Sequence, residues 1–119
     1  IELTDKNSKK FMCDNINIIK GEAPEALNNL PSPACVFIGG SNGKISEITR
    51  LVYEKSRDAV IVITAVSLET LADCQSAFES NGISAPEIIQ VAVTRTKKIG
   101  RHTMLSAENP VFIIAGVRK

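Results

Sequence analysis

The chain has 119 residues, 44% hydrophobic and 23% charged, which is the balance of a soluble globular protein and enough for one small domain. A formal net charge of +1 excludes a global field that would draw the whole molecule to nucleic acid or anionic lipid, so recognition by charge must come from a local cluster. Apolar runs such as Ala59–Ile63 are far too short to cross a bilayer, and the polar opening Ile1–Lys10 does not read as a signal peptide, so a cytoplasmic protein without a membrane partner is expected.

In chain order, Asn15–Lys20 is β-branched and alternating, which predicts a short strand. Gly21 follows it, Pro24 stands where the first turn of a helix tolerates proline, and Glu25–Leu30 continues that helix up to the Pro31-Ser32-Pro33 loop. Ala34–Ile38 is a continuous apolar run of strand length, as expected for a strand buried on both faces. Gly39–Gly43 is a turn-rich loop. Lys44–Arg57 then places Ile45, Ile48, Leu51 and Val52 on one helical stripe. Ala59–Thr64 is a second apolar strand. Ser67 is positioned to cap a helix whose buried stripe is Leu68, Leu71, Cys74 and Phe78, and Gly82 is positioned to end it. Glu87–Thr94 predicts a third strand, Lys97–Leu105 a polar basic loop, and Val111–Gly116 a last strand.

The order β-α-β-α-β-α-β-β predicts an α/β fold with a mostly parallel sheet, closed by an antiparallel last strand. In such sheets ligands bind beyond the carboxyl ends of the strands. The loops that leave those ends are Gly21–Pro24, Gly39–Gly43 and Ala65–Leu68. The cysteines Cys13, Cys35 and Cys74 are odd in number, widely spaced and without a Cys-x-x-Cys pair. They read as free thiols in a reducing compartment, Cys35 and Cys74 as small core hydrophobes, and neither a disulfide framework nor a metal site is expected.

Several residues carry two readings. Gly39–Gly43 is not a phosphate loop, because Ile38 stands where the first glycine of that motif is required and Ile45 where Ser or Thr is required. Its glycines offer close backbone approach to a ligand, or simply a tight strand-to-helix turn. Glu22 is either a ligand-binding carboxylate or a helix-start carboxylate favoured by the dipole. Ser67 caps a helix and can also wall a cleft. Arg95, Lys97, Lys98, Arg101 and His102 cluster closely; they suit a ligand with many carboxylates, or form a solvated charged loop. Nucleic acid is disfavoured by the 4% aromatic content and the near-neutral total. His102, the sole histidine, is read as a substrate contact or plain surface rather than a general base.

Four segments in order carry a resemblance: Gly21–Leu27 (GEAPEAL), Val36–Gly43 (VFIGGSNG), Ala65–Leu71 (AVSLETL) and Met104–Ile113 (MLSAENPVFI). Together they resemble the precorrin-6Y methyltransferases, and more narrowly the decarboxylating subunit that methylates carbon 15 of cobalt-precorrin-6B. The resemblance runs from about Asn7 to Val117. It implies a Rossmann-like class I methyltransferase fold, S-adenosylmethionine as cofactor and a precorrin as substrate. It also implies methyl transfer coupled to loss of carbon dioxide from an acetate side chain, and a homo-oligomer, typically a tetramer. By the same resemblance Gly21, Glu22, Ala23, Gly39 and Gly40 contact the cofactor. Ser41, Asn42, Ser67, Arg101, His102 and Thr103 contact the substrate. No residue is assigned a catalytic role in bond making.

The sequence departs from the family pattern in lacking the glycine-rich cofactor loop of the first strand and the acidic residue that ends the second. The chain opens on Ile1 rather than Met and is expected to be the C-terminal portion, 1–119, of a methyltransferase domain, lacking its first two strands. Asn15–Lys20 is then expected to be displaced, to pair directly with Ala34–Ile38, or to be completed by another chain. A non-catalytic fragment or assembly module, and a methyltransferase for another small acidic molecule, are the competing readings.

Overall fold

The computed structural model describes residues 1–118, which fall into two units, Ile1–Leu30 and 31–118. In the first unit, helix α1 spans Glu2–Lys10. Glu2 and Asp5 lie in its first turn and Lys9 and Lys10 in its last, which matches the helix dipole. Lys9 also donates to the Asp5 carboxylate one turn earlier, at 2.7 Å. Beyond it the expected strand Asn15–Lys20 does not form, and Ile16 and Ile19 are exposed. β-Branched residues favour an extended backbone, but a strand needs a hydrogen-bonding partner, and none of the described residues pairs with this segment. The expected pairing with Ala34–Ile38 is therefore also absent. The expected helix at Pro24–Leu30 shrinks to one 3-10 turn, Glu25–Leu27, preceded by a cis Ala23–Pro24 bond. Asn28, Asn29 and Pro31 give it no reason to continue.

The second unit holds β1 (Cys35–Ile38), α2 (Ile45–Lys55), β2 (Val60–Ala65), α3 (Leu68–Ser80), β3 (Glu87–Val91), β4 (Thr94–Ile99), β5 (His102–Ala107) and β6 (Val111–Gly116). Four strands form one sheet in the order β1-β2-β6-β3, and β4 and β5 form a separate two-stranded ribbon. Only β1 and β2 pair in parallel; β6 is antiparallel to both β2 and β3, and β4 to β5. The expectation of a mostly parallel, Rossmann-like sheet with one antiparallel strand at its end is thus overturned: the sheet is mixed, and most of its pairing is antiparallel. The reason lies in β6. Its apolar run inserts between β2 and β3 instead of adding at an edge, so it converts both neighbouring ladders to antiparallel. An apolar run reports a strand but not its direction, nor always burial: β1, expected to be buried on both faces, is exposed at Cys35 and Phe37, because it pairs with β2 on one side only.

The expected basic loop Lys97–Leu105 is also corrected. It is the β4–β5 hairpin, with register Lys97↔Met104, Lys98↔Thr103 and Ile99↔His102. Gly100, at φ +59, takes the first position of the two-residue turn and Arg101 the second.

The core lies between one face of the sheet and α2 and α3. Ile45, Ile48, Thr49, Val52 and Tyr53 are the buried positions of α2. They follow helical spacing, although Thr49 and Tyr53 join the stripe where Leu51 was expected. The Thr49 hydroxyl is satisfied by the Ile45 carbonyl at 2.8 Å. In α3 the buried positions are Cys74, Ala77 and Phe78. Leu68, expected in that stripe, is exposed, and so is Cys35, expected in the core. Ile61 and Ile63 of β2 and Ile114 of β6 complete the core from the sheet. Phe78 packs directly over Gly116, where a β-carbon would lie 2.2 Å from the ring. Helix α3 ends as expected at Gly82, which has φ +81; the Gly82 amide donates to the Glu79 carbonyl and the Ile83 amide to that of Phe78, a Schellman closure. Arg118 then donates to the Asn81 carbonyl and lies 5.7 Å over the Tyr53 ring, while the Tyr53 hydroxyl donates to the Gly116 carbonyl at 3.3 Å.

Candidate functional site

The one parallel pair creates the site. Because β1 and β2 run side by side in the same direction, the turn after Ile38 and the turn after Ala65 leave the sheet at the same edge. Between them is a cavity of about 310 Å³. One wall is the Gly39–Gly43 turn, the other the strand end Thr64–Val66 together with Thr70 of α3, and the floor is apolar, from Ile38, Ile45 and Ile63.

The turn wall is mostly bare backbone. A β-carbon at Gly40 would meet nothing within 4 Å, and at Gly39 it would press on the Phe37 ring at 3.3 Å. Asn42 and Gly43 both take the left-handed region, at φ 47 and φ 81, and the Lys44 amide donates to the Ser41 carbonyl at 2.9 Å. Asparagine and glycine are the residues that adopt this conformation at least cost. The sequence Ser41-Asn42-Gly43 therefore shapes the turn that feeds α2.

On the opposite wall, Ser67 caps α3 as expected. Its Oγ accepts from the Thr70 amide at 3.1 Å, and its hydroxyl donates to Thr70 Oγ1 at 3.0 Å. Among the described residues, none that line the cavity carries an ionisable side chain. What the wall offers is hydroxyls, backbone groups and apolar surface.

The structure brings Gly39, Gly40, Ser41 and Asn42 together on the cavity wall. Ser67 does not line the cavity itself but holds Thr70, which does. Gly21, Glu22 and Ala23 belong to the first unit. There the Glu22 carbonyl accepts from the Ala26 amide at 2.8 Å, and Gly21 lies so close to Ala26 that a β-carbon would come within 2.8 Å of the alanine methyl. The tight Gly21–Leu27 turn thus needs glycine for packing.

Arg101, His102 and Thr103 are on the hairpin, but not on one surface. Cross-strand partners and every second residue share a face, so His102 stands with Lys97 and Arg95, and Thr103 with Lys98 on the other side. Arg95 is also paired, its Nε 2.6 Å from Glu108 Oε1. Val66 lies in the Ala65–Leu68 loop expected at the strand ends, whereas Thr64 and Thr70, which also line the cavity, were not singled out. A usable signal was the Ser67-x-x-Thr70 spacing, which returns a second hydroxyl to the cap.

A family model described as the precorrin methyltransferase domain matches residues 1–118. The chain is 40% identical over 119 residues to a probable cobalt-precorrin-6B C(15)-methyltransferase (decarboxylating) of Saccharolobus solfataricus, covering 98% of this chain and 60% of that protein. It is 34% identical over 113 residues to the protein of the same name in Pyrobaculum calidifontis, covering 94% of this chain and 57% of the other. Among solved structures, that of a precorrin-6Y C5,15-methyltransferase from Geobacter metallireducens superimposes with a TM-score of 0.85 at 37% identity, over 96% of this chain and 60% of that one. The fold is that of a methyltransferase domain. The chain belongs to the precorrin methyltransferase family. It spans about 60% of the length of the relatives it matches.

Proposed function

We propose that the protein is an S-adenosylmethionine-dependent methyltransferase of cobalamin biosynthesis that methylates carbon 15 of precorrin-6B, or of its cobalt form, with loss of carbon dioxide from an acetate side chain. The observation that carries this reading is the match along residues 1–118 to a precorrin methyltransferase domain, with relatives that bear this activity in their names.

The bare backbone of Gly39 and Gly40 and the neutral cavity wall fit the zwitterionic methionine end of the cofactor, since open space at Gly40 permits close approach. When bound, S-adenosylmethionine supplies an electrophilic methyl group. Ser41 and Asn42 orient the substrate beside it, and Ser67 acts by fixing α3 and Thr70. Ile38, Ile45 and Ile63 exclude water from the floor. Alignment of the reacting carbon contributes most, because methyl transfer to an electron-rich carbon needs orientation more than proton removal. On the hairpin, Lys97 and His102 on one face, with Arg101 of the turn, steer the carboxylate rim of the substrate, while Lys98 and Thr103 lie on the other face.

We further propose a homo-oligomer. All residues of β4 and β5 are exposed, and a two-stranded ribbon of that kind is marginal without a partner surface.

The test is isothermal titration with S-adenosylmethionine followed by turnover with the precorrin, using the natural full-length polypeptide. Heat of binding and a product heavier by one methyl and lighter by one carbon dioxide are expected. Methyl transfer to a different small acid, with none to the precorrin, would overturn the reading. Sedimentation velocity tests the oligomer: a monomer at micromolar concentration refutes it.

A further inference from the structure

The sequence holds two Asn-Gly pairs, Asn42-Gly43 and Asn81-Gly82. In such a pair the glycine nitrogen can reach the side-chain carbonyl carbon of the asparagine, because glycine puts no side chain in the way. Asparagine amides are among the thermolabile groups of a protein. Their fate depends on how firmly the fold holds the two groups that must meet, and the two pairs differ in that respect.

Asn81-Gly82 is held at each reacting group. The Asn81 side-chain nitrogen donates to the Ala77 carbonyl at 2.8 Å, and the Gly82 amide to the Glu79 carbonyl at 2.9 Å. The peptide carbonyl between them accepts from Arg118. Attack there would have to break the closure that ends α3. Asn42-Gly43 is held at none of these points. Both residues are exposed, and among the described residues neither the Asn42 side chain nor the Gly43 amide has a hydrogen-bond partner. The turn is closed by the Lys44 amide on the Ser41 carbonyl, a bond in which the pair takes no part. A β-carbon on Gly43 would meet nothing within 4 Å, so the turn has room to rotate. We infer that Asn42 is a site of spontaneous deamidation and isomerisation, with water as the co-reactant, whereas Asn81 is protected.

In the step itself, the Gly43 nitrogen gives up its proton and bonds to Asn42 Cγ. The Cγ–Nδ2 bond breaks, and the side-chain nitrogen leaves as ammonia with that proton. Water then opens the cyclic imide. Attack at Cγ gives aspartate; attack at the main-chain carbonyl gives isoaspartate, with the chain rerouted through the side chain. A water is consumed and an ammonia released, with no oxidant or reductant. Asn42 lines the edge cavity, and among the described residues no ionisable side chain does so. Either product places a carboxylate there. Resting on the function proposed above, that charge repels the carboxylates of the substrate, so conversion closes the site to it.

The experiment incubates the natural full-length polypeptide in warm, mildly alkaline buffer. The peptides bearing Asn42 and Asn81 are followed by mass spectrometry, with chromatographic separation of the aspartate and isoaspartate forms. Conversion at Asn42 is expected to be at least about tenfold faster than at Asn81, the margin that a locally protected turn provides. It is expected to rise with pH, since the attacking nitrogen must give up its proton. Precorrin affinity, read from the macrocycle absorbance, is expected to fall about tenfold in aged protein and in Asn42→Asp alike. Conversion at Asn42 no faster than at Asn81 overturns the assignment of the site. Unchanged affinity in fully converted protein and in Asn42→Asp overturns its effect on the cavity. If fresh, unconverted protein neither binds the precorrin nor methylates it, the proposed function fails instead, and the ratio of the two conversion rates still decides whether Asn42 is the modified residue.

Discussion

The helix-covered sheet and the β4–β5 hairpin use strands in opposite ways. In the sheet, Ile61, Ile63 and Ile114 are buried and the backbone is held by packing against α2 and α3. In the hairpin every residue is exposed, and its own cross-strand register is what the described contacts offer it. The sheet therefore tolerates little change in volume, while the hairpin tolerates change in side chain but depends on its turn. The same contrast appears in chemistry. The sheet edge carries a neutral cavity, and the hairpin carries cations.

Two glycines give the sharpest way to break that comparison. At Gly116 a β-carbon would lie 2.2 Å from the Phe78 ring, and Phe78 is wholly buried, so the ring has nowhere to swing. Gly116→Ala is expected to cost about 3 kcal/mol in urea unfolding. At Gly100 a β-carbon would meet nothing within 4 Å, and the only penalty is the φ of +59. Gly100→Ala is expected to cost about 1 kcal/mol, visible in hydrogen exchange of the hairpin amides. Equal losses at the two sites would mean that the hairpin is packed as tightly as the core.

The buried thiol sharpens the picture of the core. Burial, helped by the neighbouring Asp73 charge, pushes Cys74 up from 9.0 to about 11. A folded value above the unfolded one contributes stability that is complete below pH 9 and lost as pH rises toward 11. The melting-temperature gap between the unsubstituted protein and Cys74→Ala is therefore expected to narrow across that window. A constant gap would show that Cys74 ionises as freely in the fold as in the unfolded chain.

The contrast between the two regions also explains what could be read from the sequence. Helices α2 and α3 and strands β2 and β6 were legible because burial forces apolar spacing, β1 and β3 because their apolar and β-branched residues favour an extended backbone although most of them are exposed, and the Ser67 cap and Gly82 end because each answers a local backbone need. The direction of β6 was not, since VFIIAG would look the same in a parallel strand. The hairpin was hidden because no burial patterns it: Arg95, Lys97 and Lys98 read as a loop, although Thr94, Thr96 and Gly100 carried a weaker strand and turn signal. Asn15–Lys20 failed in the reverse sense, with strand-like residues but no partner. At the site, Gly39–Asn42 and Val66 followed from the strand-end rule, whereas Thr64 and Thr70 lie outside the loops that rule selects.

A smaller effect is expected at the cap. Ser67→Ala removes the acceptor of the Thr70 amide and the donor to Thr70 Oγ1. It should lower stability by about 1 kcal/mol in chemical denaturation. Unchanged stability would show that water replaces Ser67 without loss.

The smallest stability change belongs to the hairpin. Arg95 and Glu108 form a close pair, 2.6 Å, yet their side chains are 72% and 54% exposed. Exposed pairs are screened by salt, and holding two long side chains in place offsets the attraction. Arg95→Ala is therefore expected to change stability by less than about 0.5 kcal/mol. Its effect on substrate affinity should also be weaker than that of Lys97→Ala on the same face, because Glu108 already engages the Arg95 charge whereas Lys97 has no ion-pair partner among the described residues. A larger affinity loss for Arg95→Ala would mean that the substrate displaces Glu108, which would make the pair a gate on the cationic face rather than a brace for the ribbon.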